Sequence, residues 1–553
     1  MYQSIGKSKQ QTRGREKVKT GCKTCKARRV KCDEGWPACR RCISTGRVCK
    51  GYGIWGGGGS PHDQQQPQSS RALSIYCTPV PVGNLSREEQ THFDWFVNKT
   101  REKFAGLFTS EFWGTLVFQA SAREPAVRHA VVALSAAHRF EIGCDPWIIP
   151  AIYGVGVEKF TLQQYNKAIS YLRVATGKSG QSGLYVALIT CMIFVALEYL
   201  RGQYQMASAH LRYGIQLLSN ISVPLPRSSM SPRMFSPVED FVHNTLAESY
   251  ARLSLQAALF GSVPSDMCVM TRKHSLPYSF CSLLEARQTL DDLLNRVYCL
   301  ERHCHSLRVS QLSIEDPEII ETQSKIMSDL SLWRKIYKAL LIQIEANGAL
   351  KEKFGSRLLN IYYELAVIMA SVCLSEDEMI FDSFTKNFLG ILTGFVDLWN
   401  YWASQDPDVE EMQDIFVYKI ENHGFTVESG FIPPVYYTAL KCRIPGIRRQ
   451  AIRILRSAPH REGVWNGQLL AEVLEEVVRI EESELGPAQL GSTKEFPLSE
   501  ITASSRISGV SVILPNRAKD DTFVRYKKRI DNGQWVVMFE LKIMYSAKQN
   551  SLK

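Results

Sequence analysis

The sequence predicts a mostly α-helical chain headed by a small cysteine-rich module. Three observations lead there. Six of the fifteen cysteines fall between Cys22 and Cys49. The whole basic excess lies in the first 50 residues, which carry 15 Lys and Arg against three acids, while the other 503 residues are almost balanced. From about Ser86 onward, apolar residues recur at three- and four-residue intervals, the period of an amphipathic helix. A composition of 45% hydrophobic and 22% charged residues suits a protein with a real core.

Residues 1–20 read as a basic tail. They contain "GKSKQQTRGREKVK" and no apolar h-region, so no secretory signal is expected. A basic block of this kind favours a polyanionic partner, nucleic acid above all.

Residues 21–50 form the cysteine module. Cys22, Cys25, Cys32, Cys39, Cys42 and Cys49 have the spacing C-x2-C-x6-C-x6-C-x2-C-x6-C. The two halves, "CKTCKARRVKC" and "CRRCISTGRVC", repeat one pattern. Disulfides are disfavoured in a chain without a secretory signal, and a redox C-x2-C belongs at a helix start in a βαβ setting that is missing here. Zinc, which takes four thiolates in a tetrahedron, fits. Two ions need eight ligand positions and six thiolates supply them only if two sulfurs bridge. The pseudo-symmetry nominates the first cysteine of each half. A segment this short buries no core, so metal binding is expected to supply its folding energy.

This stretch resembles the fungal six-cysteine binuclear zinc cluster, the DNA-binding module of fungal transcription factors. All six cysteines match, as do "ARRVKCDE", Pro37 and Gly46. The resemblance implies two zinc ions, with Cys22 and Cys39 bridging, Cys25 and Cys32 completing one site and Cys42 and Cys49 the other. It also implies CGG-type sites in double-stranded DNA. The first x6 segment, "KARRVK", holds four cations and the second, "ISTGRV", holds one, so the first half is expected to face DNA. Lys26, Arg28, Arg29 and Lys31 are expected on one short helix in the major groove. By alignment with the family, Arg29 is the foremost base reader and Arg28 the second, through guanine O6 and N7. Lys31 and Lys26 are expected on phosphates. Arg40, Arg41 and Arg47 read as charge balance with loose phosphate contact.

Residues 51–85 read as a flexible linker, with "GGGG", "QQQ" and scattered Pro and Ser. No a/d heptad runs between Lys50 and Leu85, so a monomer and a homodimer made by the large domain both stay open.

Residues 86–485 read as a large helical domain. "PAVRHAVVALSAAH" carries Val127, Val131, Ala133, Leu134 and Ala137, with Pro125 at a first helical turn. "YNKAISYLRVA" repeats the style, and "QYQMASAHLRYGIQLLS" puts Ala207, Leu211, Ile215 and Leu218 on one stripe. Leu184–Leu200 is apolar but shorter than a usual span, and reads as a buried core helix rather than a membrane segment. No run of strands is expected before residue 500. "FWGTLVFQASAREPAVRHAVVALSAAH" and "FIPPVYYTALKCRIPGIRRQAIRILRSAPHREGVW" resemble the fungal-specific transcription factor domain over roughly 90–485. The resemblance implies an all-helical regulatory domain that receives a signal or contacts co-regulators and the transcription machinery.

Other motifs weigh little. "TGKSG" lacks the first glycine and the strand of a P-loop. "CLERHCHS" (Cys299–Ser306) has no standard zinc spacing. His129, His138 and His210 sit in apolar helices and read as core histidines. No G-x-S-x-G, H-E-x-x-H or paired-carboxylate motif has a convincing context, so no catalytic residue is expected. Residues 486–553 form a tail in which Asn532-Gly533 between β-prone runs suggests a hairpin.

These readings converge on a nuclear, zinc-dependent regulator of RNA polymerase II genes. The alternative is a ligand-sensing or enzymatic helical protein with a structural zinc module. RNA binding lacks the aromatic platform such modules use.

Overall fold

In a computed structural model the chain divides into two units, Met1–Ile75 and Tyr76–Lys553. The structure describes residues 24–25, 28–33, 39–45 and 47 of the first unit. In the second it describes 85–143 apart from 109, 150–177, 181–222, 237–261, 276–310, 316–403, 424–458, 460–483, 501–514, 522–529 and 535–543.

Within the first unit the described residues form a cysteine cluster, a helical turn that includes Thr24 and Cys25, and a short helix, α1 (Arg40–Ile43). Cys25, Cys32, Cys39 and Cys42 are buried together, with Val30 packed against them. No larger apolar side chain takes part among the described residues, as expected of a module too small for a hydrophobic core.

The second unit is built on helices. It opens with α2 (Arg87–Trp95), whose Ser86 and Glu89 form a reciprocal capping box. A π-turn over Phe96–Thr100 leads into α3 (Arg101–Ala105), and a second over Phe112–Leu116 leads into α4 (Val117–Arg123). Then come α5 (Pro125–Gly143), α6 (Pro150–Gly177), α7 (Gln181–Leu200), α8 (Tyr204–Ser222) and α9 (Pro237–Leu259). The apolar stripes read from the sequence face the core. Ala207, Leu211, Ile215 and Leu218 are all buried on α8, and Val127, Val131, Ala133 and Leu134 are buried on α5. Helix α5 is also buried at Ala126, Ala130 and Val132, because α4, α6 and α7 surround it.

Ser182–Leu200 is long and apolar enough to cross a membrane, but 78% of its most apolar window is buried inside the unit, which makes it a core helix. The three core histidines have partners. Nδ1 of His129 meets Gln164 at 2.7 Å, Nδ1 of His138 meets Thr100 at 2.9 Å, and Nε2 of His210 meets the Tyr165 hydroxyl at 2.8 Å. Thr176 and Gly177 of "TGKSG" end α6, and the rest of that motif lies outside the described residues.

A second group of helices follows: α10 (Leu283–Val309), α11 (Pro317–Asn347), α12 (Leu350–Val372) and α13 (Thr385–Ala403). Helix α11 starts at Asp316, whose carboxylate accepts from the Glu318 N–H, with Pro317 at the first position. Its buried residues Ile326, Leu330, Trp333, Tyr337, Leu340 and Ile344 alternate at four and three residues, a seam that packs on α10 and α12. The Trp333 indole N–H donates to the Ala286 carbonyl at 2.9 Å. "CLERHCHS" lies in α10, as expected of an ordinary helix.

The domain is not purely helical. Between α13 and the last helices sits a small sheet of β1 (Gly424–Thr426), β2 (His460–Glu462) and β3 (Trp465–Asn466), with β1 parallel and β3 antiparallel to β2. Strands of two or three residues are too short to show an alternating pattern, so apolar periodicity does not reveal them. Gly463 makes the turn from β2 to β3 at φ +56°, the left-handed region. The sheet encloses α14 (Ile432–Lys441) and α15 (Pro445–Arg456) in the sequence and leads into α16 (Gly467–Glu481).

Glu462 ties this segment together. Its carboxylate is fully buried and accepts from the backbone N–H of Gly430 at 2.7 Å, Phe431 at 3.1 Å and Ile432 at 3.3 Å, at the start of α14. The helix dipole adds to this capping. A Cβ on Gly430 would stand 2.4 Å from Glu462 Oε1. Gly430→Ala is therefore expected to destabilise the domain by about 1–3 kcal/mol through displaced capping bonds, measured as a lower urea midpoint of the full chain.

The hairpin expected near the C-terminus is present and extended. β4 (Ile507–Ile513), β5 (Thr522–Arg529) and β6 (Trp535–Ile543) form an antiparallel sheet in that order. The Asn532-Gly533 turn itself lies outside the described residues. The segment before β4 docks on the helices through charge. Arg506 is fully buried and donates to both carboxylate oxygens of Asp382, at 2.9 and 2.7 Å. Glu481 accepts from the Ile507 N–H at 3.0 Å and from Arg443 at 2.9 Å, and pairs with Arg448 at 2.6 Å. Arg443 also reaches Glu378 at 2.9 Å.

Candidate metal centre and nucleic-acid interface

The module is built from two copies of one turn, offset by seventeen residues, so that Cys22, Cys25 and Cys32 correspond to Cys39, Cys42 and Cys49. Its hydrogen bonds repeat at the same offset. The Val30 N–H donates to the Cys25 carbonyl at 3.1 Å, and the Arg47 N–H donates to the Cys42 carbonyl at 3.0 Å. Each is a six-to-one bond of the kind that closes a helical turn. In the first half the residue just before the donor is Arg29, left-handed at φ 55°, the one non-glycine residue with positive φ among those described. Its counterpart at the same offset is Gly46.

The sulfurs gather as a metal requires. The Sγ atoms of Cys25, Cys32 and Cys39 all lie within 4.8 Å of one another. Cys25 Sγ is 3.6 Å from Cys39 Sγ and 3.9 Å from Cys42 Sγ. A zinc–sulfur bond of about 2.3 Å in a tetrahedron puts neighbouring sulfurs about 3.8 Å apart, whereas a disulfide would hold them at about 2.05 Å. The Cys42 N–H points at Cys39 Sγ at 3.3 Å, the bond expected of a C-x2-C turn around a metal thiolate. Cys22 and Cys49 lie outside the described residues.

Asp33 joins the halves. Its carboxylate accepts from the N–H of Arg40 at 2.9 Å and of Arg41 at 3.1 Å, at the start of α1. The Arg41 and Arg40 N–H groups hold its carboxyl below the usual range. This role is invisible in sequence, because the helix it caps begins seven residues later.

Of the four cations read as the DNA face, the three that the structure describes do not share one helix. The first helical turn ends at Arg28 and Arg29, and Lys31 lies beyond it, so one helix does not carry them all. The left-handed residue at position 29 is what turns the chain away. Arg29 and Lys31 are exposed, while Arg28 is half-buried and donates to the Thr45 hydroxyl at 3.3 Å, its counterpart in the second half. Arg40, Arg41 and Arg47 are exposed. Lys26 lies outside the described residues.

Comparisons with known proteins agree with this geometry. Residues 20–54 match the fungal Zn(2)-Cys(6) binuclear cluster domain. Residues 96–373, just over half of the chain, match the fungal specific transcription factor domain. The chain is 22% identical to the aspercryptin biosynthesis cluster-specific transcription regulator atnN of Emericella nidulans, over 89% of this chain and 91% of that relative. It is 29% identical to the transcription regulator lscL of Purpureocillium lilacinum, over 34% of this chain and 46% of the relative. It is 53% identical to the transcriptional regulatory protein moc3 of Schizosaccharomyces pombe, over 16% of this chain and 18% of that protein. No solved structure matches. A thiolate cluster with zinc spacing, set among exposed cations and followed by a helical domain of this type, is the organisation of a regulator rather than an enzyme: the chain belongs to the fungal Zn(2)-Cys(6) transcription regulators, and its cysteine cluster binds zinc.

Proposed function

We propose that this protein reads CGG-type sites in double-stranded DNA and regulates RNA polymerase II genes in the nucleus. The observation that carries the reading is the juxtaposition of the sulfur cluster with exposed Arg29 at its edge. Two zinc ions would be held by the six cysteines, with Cys22 and Cys39 shared, Cys25 and Cys32 on one ion, and Cys42 and Cys49 on the other. Arg29 reads guanine, Lys31 and Lys26 contact phosphate, and Arg28 acts mainly as a brace toward Thr45. Residues 1–20 serve as a basic tail, 51–85 as a tether, and 86–485 as the regulatory domain that meets co-regulators, alone or as a homodimer. The relative that matches over nearly the whole chain is named for one biosynthetic gene cluster, and we take clustered biosynthetic genes as the target class.

Position 29 supplies the test. A left-handed conformation costs an arginine about 1–2 kcal/mol that glycine avoids. Arg29→Gly is therefore expected to leave zinc stoichiometry intact while losing about 1–3 kcal/mol of binding to a CGG duplex and relaxing base preference. Lys31→Ala is expected to weaken CGG and scrambled duplexes alike and to flatten the salt dependence. Fluorescence anisotropy with the full chain at several salt concentrations reads both. Equal loss on both duplexes for Arg29→Gly would refute its role as base reader.

A further inference from the structure

The C-terminal sheet carries a row of cations far in sequence from the zinc module. On β5, Val524 and Tyr526 are buried, and the period of the strand puts Arg525, Lys527 and Arg529 together on the opposite face. Arg525 and Arg529 are exposed and Lys527 is half-buried. Two residues of a strand advance about 6.8 Å, so the three charges stand at even steps along one line.

Nothing in register answers this charge. Opposite Arg525 is Ser511 of β4, opposite Lys527 are Ser508 of β4 and Val537 of β6, and opposite Arg529 is Trp535 of β6. None of these is acidic, although opposite charges across strands are the stabilising arrangement. Arg525 and Lys527 make no ion pair among the described residues. Arg529 lies over the Trp535 ring, 5.8 Å from its centre. The surroundings keep the excess: residues 507–543 hold seven Lys and Arg against four acids, Asp520, Asp521, Asp531 and Glu540, in a chain that is almost balanced beyond residue 50. The positive field reaches α10. Burial lowers the His305 imidazole there, and Lys527 and Arg308 lower it further, with Glu376 acting the other way. Beside the cations, β6 exposes Val536, Val537 and Met538 in succession.

A straight, evenly spaced row of cations with no acid in register suits a polymer of regularly repeated anions. We propose that the β5 face is a second DNA contact, with Arg525, Lys527 and Arg529 on phosphates of the duplex that flanks the site held by the zinc module. Such contacts position the protein and carry no base information. Three of them hold DNA weakly alone, so the face acts on duplex that the module has already tethered, at raised effective concentration. A flexible 51–85 tether spans about 30–35 Å, about one turn of duplex. The inference rests on the DNA reading above for that tether, and not on CGG as the site.

Fluorescence anisotropy of the full chain at several salt concentrations tests it. Two duplexes carry the same CGG site, one cut close to the site and one extended by several helical turns on each side. Arg525→Gln, Lys527→Gln and Arg529→Gln combined should weaken binding to the long duplex about tenfold at low salt and make its log–log salt slope shallower by about 2–3, and should leave the short duplex bound as before. Lys335→Gln, Lys338→Gln and Lys351→Gln combined remove the same charge from exposed positions on α11 and α12 and should change neither. Zinc content and circular dichroism establish that each variant is folded. Arg525→Gln with Arg529→Gln alters only exposed side chains, should make the slope shallower by about 2, and decides the matter if the triple variant misfolds. The proposal falls if a folded variant keeps the long-duplex affinity and slope, if the short duplex loses as much, or if the α11 and α12 lysines have the same effect. A face made for an acidic protein would give the first of these results. Scrambled duplexes of both lengths separate this from site reading: a failure of CGG recognition erases the preference for CGG over scrambled sequence and leaves the length-dependent loss in place.

Discussion

Replacing Cys39 with serine should abolish DNA binding and unfold the amino-terminal module together. Cys39 Sγ lies within the three-sulfur group, 3.6 Å from Cys25 Sγ, and also accepts the Cys42 N–H. In the proposed arrangement it serves both ions, so its loss removes two of eight coordination positions. A serine hydroxyl stays protonated near neutral pH and does not replace a thiolate. The module has no other source of folding energy on the scale of structural zinc, about 10–16 kcal/mol in small zinc domains. Zinc content by atomic absorption should drop, and anisotropy with a CGG duplex should show no specific binding. A chelator should do the same to the unaltered chain, and zinc should reverse it. Specific binding that persists after complete zinc removal would overturn the mechanism.

The second large effect lies far from the metal. Glu481→Ala should destabilise the helical unit by about 3–5 kcal/mol, the usual consequence of removing one partner from a buried ion network. Arg443 and Arg448, both almost fully buried, would lose their shared carboxylate, and the Ile507 N–H would lose its acceptor. Burial by itself would raise the Glu481 carboxyl, but the guanidinium groups of Arg448 and Arg443 overcome it and hold it at about 2. The ordinary value is 4.5, so the folded state releases this proton more readily than the unfolded state. The stabilisation is complete above about pH 4.5 and disappears as pH falls toward 2, about 3 kcal/mol in all. Urea midpoints between pH 7 and pH 3 should fall in the unaltered chain and fall less in Glu481→Ala. A parallel decline would assign the acid sensitivity to other carboxylates.

Much of this was legible in the sequence, and what was not has a physical reason. Helices α5 and α8 could be read because their apolar residues recur within one window and their caps are local. The sulfur cluster could be read because metal ligands obey fixed spacing. Arg448 could not. In "IRRQAIRILR" it looks like part of a solvated basic face, yet it is buried because Glu481, 33 residues on, folds back to meet it. Arg506 and Asp382 are 124 residues apart and give no local signal at all. The basic stretch after Cys25 leaves its helical turn for a backbone reason. Nothing in an arginine announces a left-handed φ, and only the glycine at the matching place in the second half hints at the turn.

The docking of Arg506 bears on where this chain can be cut. Residue 485, which closes the helical pattern in the sequence, looks like a natural stopping point. A nonsense codon just beyond it would leave every described helix present but remove the cation that bridges the Glu378 carbonyl and the Asp382 carboxylate. It would also strip Glu481 of its backbone partner at Ile507. A shortened protein of that kind carries a wet gap beside an Asp382 stripped of its cation where the full chain has a closed joint, and cellular quality control would meet it as a damaged fold rather than as a trimmed one.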